Sequence, residues 1–269
     1  MKAGYYQFAP EFGNVERNIR SVLNILHNEE FDLVVLPELF NTGYQFTSRK
    51  EALSLSETIP DGPTTRALSS FSSEKGCYVV FGIAEKLNGN SFNSAVITGP
   101  GGYIGTYRKT HLFDDEKLWF TPGDTGFRVW ATPLGNIGIM ICFDWFFPES
   151  MRSLSLLGAD IIAHPSNLVL PYCPDSMPVR CRENAVFSIT ANRTGREERL
   201  HNKALSFIGM SQITGLRGEI LKRAPLEDDE LFFTTVDTFS SRNKRLTLNN
   251  DLFGDRRPEM YTIITQSGL

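Results

Sequence analysis

The chain has 269 residues, 41% hydrophobic and 22% charged, an ordinary globular composition long enough for one large domain. Its formal net charge of −4 gives no electrostatic footprint for nucleic acid. No apolar run reaches the ~18 residues that a membrane helix needs, and MKAGYYQFAP lacks the apolar core and cleavage site of a secretory signal, so the expected setting is cytoplasmic.

Short apolar runs alternate with helical periodicity along the chain. Gly4 to Ala9 reads as a strand. Val15, Ile19, Val22, Leu23 and Leu26 recur at helical spacing after Asn14, a suitable N-cap. FDLVVLPE, Phe31 to Glu38, reads as a buried strand stopped by Pro37. Pro63 opens a helix that closes near Gly76. Cys77 to Glu85, Ser91 to Gly99 and Gly101 to Lys109 read as strands, the first two joined by the turn LNGN. Thr132 to Cys142 is another, turned at Leu134 to Asn136. Pro148 to Leu157 is helical and ends at Gly158, and Ala159 to Ser166 is a strand. Met177 to Ala185 is helical. Val186 to Gly195, Ala204 to Thr214 and Asp229 to Asp237 are strands. This alternation predicts a layered α/β or α+β domain with helices covering its sheets, and leaves the number of sheets open.

Three strand ends carry chemistry. In IGIMICFDWFFPE the apolar run stops at Cys142, which shares one face of the pleat with Gly138 and Met140. A strand-to-helix turn follows, of the kind that exposes a nucleophile while backbone N–H groups converge beside it. The bland alternative is a buried structural thiol, the reading preferred for Cys77. Glu38 lies just past a buried strand, as a surface carboxylate or a poised base. Lys109 ends a strand on the face of Tyr103, Gly105 and Tyr107, and taken alone reads as a snorkelling surface lysine. Together they make a workable set. A carboxylate takes the proton of the thiol, and a lysine holds the charge that develops on the substrate, with no metal or organic cofactor required. The four cysteines contain no C-x-x-C pair and are expected as reduced thiols. Cys173, Cys181 and His164 match no common zinc spacing.

The blocks LVVLPELFNTGY, YRKTHLFDDEKLWFTPGD and GIMICFDWFFPE, in that order, resemble the glutamate, lysine and cysteine blocks of the nitrilase superfamily of carbon–nitrogen hydrolases. The resemblance continues through DGPTT, FNSAVI, ADIIAHPSN, RCRENAVFSITANRTG and FIGMSQI, from about Lys2 to RRPEMY. It implies a four-layer αββα sandwich formed by one domain over residues 1–269. It implies pairing of two copies through the helices after Pro148 and near Met177 to Ala185, with the tail, 242–269, reaching over the partner. Cys142 becomes the nucleophile and Glu38 the general base. Lys109 and the backbone N–H of Phe143 become the oxyanion donors. Glu116 becomes a further carboxylate that orients Lys109 and substrate or assists acid–base work. Arg182, Glu183 and Glu149 match positions read as structural.

Tyr44, Phe46, Trp145 and Asn167 flank these blocks and are candidates for the substrate pocket, with core packing as the alternative. Aromatics there favour a small apolar acyl group. No basic residue clearly marks a carboxylate-bearing substrate; Arg193 and Arg196, which follow a strand, are the candidates for that role. The expected substrate is a small aliphatic amide or nitrile. The compact length points to an amidase. A short aliphatic nitrilase is the alternative, then an N-carbamoyl hydrolase, then a non-catalytic protein on the same fold.

Overall fold

The computed structural model describes residues 1–266. The first half of the chain runs β1 (Lys2–Gln7), α1 (Val15–His27), β2 (Leu33–Val35), α2 (Arg49–Leu55), α3 (Pro63–Lys75), β3 (Tyr78–Leu87), β4 (Asn90–Gly99), β5 (Gly102–Arg108) and α4 (Glu116–Trp119). The second half runs β6 (Val129–Thr132), β7 (Gly135–Ile139), α5 (Pro148–Leu156), β8 (Ile161–Pro165), α6 (Cys173–Asn184), β9 (Phe187–Ala191), β10 (Arg196–Leu200), β11 (Lys203–Ser206), β12 (Gln212–Thr214), β13 (Ile220–Arg223) and β14 (Glu230–Thr235).

Two six-stranded sheets form, ordered β14-β1-β2-β3-β4-β5 and β13-β12-β9-β8-β7-β6. Each has three parallel strands in the middle (β1-β2-β3 and β7-β8-β9) and antiparallel strands at its edges. Parallel strands need crossover helices, which leaves both faces of each sheet covered. The inner faces meet: Tyr5, Leu33, Val35, Val80, Ala95 and Ile97 of the first sheet join Ile137, Ile139, Ile161, Ala163 and Ile189 of the second in one core. Outside the first sheet, Ile19, Val22 and Leu26 of α1 and Leu68 and Phe71 of α3 pack on Val34, Val79, Phe81 and Val96. Outside the second, Met151 and Leu154 of α5 and Met177 and Cys181 of α6 join the main core. The result is the four-layer αββα sandwich, with α1 and α3 on one side and α5 and α6 on the other.

Several expectations shift. The expected strand Ala204 to Thr214 splits into β11 and β12 because Gly209 and Met210, both at φ +55, turn the chain between them. Helix α6 starts at Cys173 rather than Met177; Pro174 suits its first turn, while Pro178 stays inside and hid the continuity from the sequence. Asn14 precedes α1 but makes no side-chain cap, its amide turning back to Glu11. Tyr103 leaves the face of Lys109. A bulge pairs Ile97 with Gly105 and Thr98 with Tyr103, so Ile104 is an extra residue and Tyr103 is exposed. Gly105, Tyr107 and Lys109 keep the buried face. The expected tail, 242–269, begins in short 3₁₀ turns over Thr238–Arg242 and Pro258–Met260, and its last three residues lie outside the described ones. No helix among the described residues is long and apolar enough to cross a membrane.

Candidate active site

The pieces of the site come from the ends of neighbouring strands. After β2, Pro37 cannot donate to a ladder, and the chain turns sharply through Glu38 and Leu39, the latter at φ +50. The turn stays bonded to β3: the Gly82 N–H donates to the Pro37 carbonyl at 3.1 Å and the Phe40 N–H to the Gly82 carbonyl at 3.2 Å. Gly82 is required here, since a Cβ would come within 2.4 Å of the Glu38 Cα. Beyond β5, Lys109 is fixed by its own backbone, its N–H on the Asn93 carbonyl at 2.8 Å and its carbonyl accepting from the Gly123 N–H at 2.9 Å.

Side chains of Glu38 and Lys109 are fully buried, and Glu116, at the start of α4, is 2% exposed. Lys109 Nζ donates to Glu38 Oε1 and to Glu116 Oε1, both at 2.7 Å. Asn93 Nδ2 donates to Glu38 Oε1 at 2.6 Å, and the Tyr44 hydroxyl donates to Glu116 Oε1 at 2.7 Å. Glu38 Oε2 is buried and has no partner. An acceptor of this kind is costly unless something else bonds it.

Two carboxylates share one ammonium, and the electrostatics follow. Burial works against the Lys109 charge, but Glu116, Glu38 and the Cys142 sulfur overcome it and hold the ammonium above the ordinary lysine range. Burial pushes Glu116 up to about 7 even with Lys109 opposing, and Glu38 adds like-charge repulsion. Burial likewise pushes the Cys142 thiol well up, reinforced by Glu38 and only partly opposed by Lys109. The resting sulfur is therefore a thiol, and a base must take its proton before it can attack.

Cys142 does not continue the pleat of β7, as its alternation with Gly138 and Met140 had suggested. The strand stops at Ile139, and a 3₁₀ turn over Cys142–Phe146 starts with Cys142 at φ +40. A non-glycine residue there is strained and must be held by its surroundings. Two buried groups hold it. Asp144 Oδ2 accepts from the Ile141 N–H at 2.9 Å and from the Tyr107 hydroxyl at 2.7 Å, while its Oδ1 accepts from the His111 N–H at 3.1 Å. His164 Nε2 lies 3.0 Å from the Cys142 carbonyl and Nδ1 lies 3.0 Å from Thr190 Oγ1. A carbonyl can only accept, so Nε2 carries the hydrogen and the Thr190 hydroxyl donates to Nδ1.

Burial lowers His164 to about 4, from an ordinary 6.5, leaving a neutral ring. A depressed histidine contributes stability above pH 6.5 that is lost as pH falls through about 4. At ~1.4 kcal/mol per pH unit the full loss is roughly 3 kcal/mol. His164→Gln is expected to flatten the fall in urea midpoint between pH 6.5 and pH 4; an unchanged slope would remove His164 from this role. Asn93, Asp144 and His164 were missed as site residues although they stand inside the motif blocks FNSAVI, GIMICFDWFFPE and ADIIAHPSN. Nothing in a sequence marks which buried polar residue supports a strained neighbour.

The Cys142 side opens into a small pocket lined by Phe113, Phe143, Trp145, Phe146, Asn167 and Leu168 to Leu170, with about 330 Å³ of empty space partly open to solvent. Trp145 and Asn167 are among these wall residues. Asn167 Nδ2 donates to the Glu38 carbonyl at 2.9 Å. Tyr44 is not among these wall residues; its hydroxyl reaches Glu116 behind them. Phe46 is fully buried, edge-on to Phe12 and Phe120 in a cluster with Leu39, Ala52 and Leu112, so it packs the core instead of the pocket. Arg193 and Arg196 do not meet the pocket either. Arg193 is buried against Glu197, and Arg196 pairs with Glu198 at the surface. Cys173, Cys181 and His164 do not converge, and no cluster of metal-binding side chains occurs among the described residues.

Comparison with known proteins agrees with this geometry. Residues 2–244 match the carbon–nitrogen hydrolase family. A protein named nitrilase from Pyrococcus abyssi is 45% identical, over 97% of this chain and 99% of its own length. The N-carbamoylputrescine amidase of Solanum lycopersicum is 30% identical over 93% and 87%. The crystal structure of a carbon–nitrogen hydrolase from Helicobacter pylori G27 superposes with a TM-score of 0.90 at 26% identity, covering 100% of this chain and 99% of that one. With buried carboxylates, an ammonium and a thiol gathered at the strand ends of this fold, the chain belongs to the carbon–nitrogen hydrolase family of the nitrilase superfamily and is a hydrolase of carbon–nitrogen bonds.

Proposed function

We propose that the enzyme hydrolyses a small, uncharged, largely apolar amide to the carboxylic acid and ammonia through an acyl group carried on Cys142. The observation that supports this best is the layering of the site. Cys142 meets an apolar pocket, while Glu38, Lys109 and Glu116 lie joined by 2.7 Å bonds and shielded from water.

Glu38 takes the thiol proton; its Oε2 is buried without a partner, which leaves a free acceptor on that carboxylate. The thiolate attacks the amide carbon, and the carbonyl π electrons move to oxygen. Lys109 Nζ and the Phe143 N–H stabilise that oxyanion. The carbon–nitrogen bond then breaks as Glu38 returns the proton to nitrogen, which releases ammonia and leaves a thioester. Water, losing a proton to Glu38, attacks the thioester. The carbon–sulfur bond breaks, the acid leaves and the thiol is restored. Glu116 keeps Lys109 in place and sets the charge around it.

Among the described residues no charged side chain lines the pocket, which disfavours a carboxylate-bearing substrate and the N-carbamoylputrescine for which the Solanum relative is named. Nitrile hydrolysis is the second reading, because the 45% identical Pyrococcus relative is named a nitrilase. A nitrile would form a thioimidate first, then add water and lose ammonia by the same groups.

Ammonia release from amide and nitrile pairs of equal chain length tests the assignment. Amides are expected to turn over at least ~10-fold faster than the matched nitriles, a difference of about 1.4 kcal/mol in barrier. Faster nitriles would make the enzyme a short nitrilase. The exposed Leu156, Leu157 and Val179 on the outer helices, with Leu246, Leu248 and Ile264 in the tail, support pairing of two copies there. Light scattering should then give twice the 30.3 kDa chain mass; a single chain mass would refute the pairing.

A further inference from the structure

One element belongs to neither sheet. Strands β10 and β11 form a separate two-stranded hairpin over Arg196–Ser206. It reaches two segments far away in sequence. Lys203 Nζ pairs with Asp114 at 2.7 Å and Asp115 at 2.6 Å, just before Glu116. Gln45 Nε2 donates to the Lys203 carbonyl at 2.6 Å, and the Arg199 guanidinium meets Glu51 at 2.7 Å. The hairpin thus grips the segments that carry Tyr44 and Glu116.

Its most buried contact is the most specific. Glu197 is 7% exposed, and both its oxygens accept from the Tyr44 N–H at 3.2 Å, while Oε2 also accepts from the Gln45 N–H at 2.6 Å. Arg193, 1% exposed, pairs with the Glu197 carboxylate and stacks its guanidinium 4.0 Å from the Phe207 ring. Phe207 stands edge-on to Tyr44 at 5.8 Å. Gly43, at φ +81, lets the chain pass: a Cβ would lie 2.8 Å from the Phe12 ring and 3.0 Å from Glu197 Oε1. The Tyr44 backbone and ring are therefore both fixed, and its hydroxyl ends on Glu116 at 2.7 Å. A buried ion pair returns little net stability against hydrophobic side chains of the same size. A charged acceptor bonding two backbone amides does fix their position.

We propose that Glu197, held by Arg193, is a positioning residue for hydrolysis that acts through Tyr44 to keep Glu116 and Lys109 in register. This rests on the reading that Glu116 serves the reaction. The chain of contacts runs from Arg193 to Glu197, through the Tyr44 backbone to its hydroxyl, then to Glu116 and Lys109.

A double-mutant cycle on the full chain tests it, with kcat and KM measured on the fastest small amide. Glu197→Gln keeps size and loses the charge; Tyr44→Phe loses only the hydroxyl. Each is expected to lower kcat about 10- to 100-fold, with KM changed less than ~3-fold, because misplacing a catalytic group affects the chemical step. The double variant is expected to be no more than ~3-fold worse than the poorer single one, since both act through one contact. Losses that multiply, or a kcat for Glu197→Gln within ~2-fold of wild type, would overturn the proposal. If Glu197→Gln fails to fold, Phe207→Leu takes its place in the same cycle with the same criteria. A Cys142→Ala control in the same assay tests the acyl-enzyme reading separately: turnover by that variant would sink the mechanism whatever the cycle gives.

Discussion

Cys142→Ala is expected to remove measurable ammonia release, a fall of roughly 10⁴-fold or more, while leaving a folded protein. Among the described residues that line the pocket the sulfur is the one nucleophile, and Glu38 and Lys109 are fully buried. Without it, Glu38 and Lys109 could at best help water attack the amide directly, with no covalent intermediate to divide the barrier. Stability should change little. Alanine at φ +40 is as strained as cysteine, and the groups that hold the turn, Asp144 and His164, bond its backbone and not the sulfur. Losing one buried atom of this size costs ~1 kcal/mol, a shift of a few degrees in melting temperature. Intact mass spectrometry under a slow amide should show an acyl adduct on the wild type and none on the variant. Persistent turnover in the variant would remove Cys142 as the nucleophile.

Lys109→Met should be as damaging to activity and far more damaging to stability. Methionine fills much of the same space but removes the cation that Glu38 and Glu116 share. Turnover is expected to fall at least ~10³-fold, because the oxyanion loses its charged donor. Breaking a buried pair by removing one partner costs about 3–5 kcal/mol, a large part of a total near 5–15 kcal/mol. The cost should depend on pH in a definite direction. Burial already raises Glu116 to about 7 against the opposing pull of Lys109, and removing that pull raises it further. A carboxyl raised in the folded state gives stability that is full below its ordinary 4.5 and lost as pH rises through the folded value. The stability gap between variant and wild type should therefore be wide at pH 8 and narrow at pH 5. Urea midpoints at the two values check it; an equal gap would mean that lost packing, not unpaired charge, causes the damage.

Much of the architecture was legible because buried strands advertise themselves. LVVLPE and IGIMIC are too apolar to be half exposed, and each stops abruptly at a polar or reactive residue. Those stops located Glu38 and Cys142, and alternation in GTYRK located Lys109. What the sequence hid falls into two kinds. Local irregularity moved single residues: the bulge at Ile104 turned Tyr103 outward, and the positive φ at Met210 broke an apolar run in two. Long-range polar pairing was invisible altogether. Tyr44 and Glu197 are 153 residues apart, and neither carries a local sign of the other. The aromatics near the motifs could not be sorted by pattern, since Trp145 on the pocket and Phe46 in the core differ only in what the fold brings against them.

The pairing of β1 with β14 has a consequence for how the chain reaches this state. Lys2 stands opposite Thr235, so β1 waits for a strand far along the chain. During synthesis, β1, β2 and β3 can assemble around α1 and α3, but the outer side of β1 keeps a row of unmet N–H and C=O groups until β14 emerges. Tyr5 waits with it, since its hydroxyl partner is Glu230. Contacts this distant in sequence slow folding and lengthen the time that a sheet edge is open to other chains. Nascent chains released before β14 would present that edge to one another, so the step most exposed to aggregation is the closing of the first sheet, well before any chemistry begins.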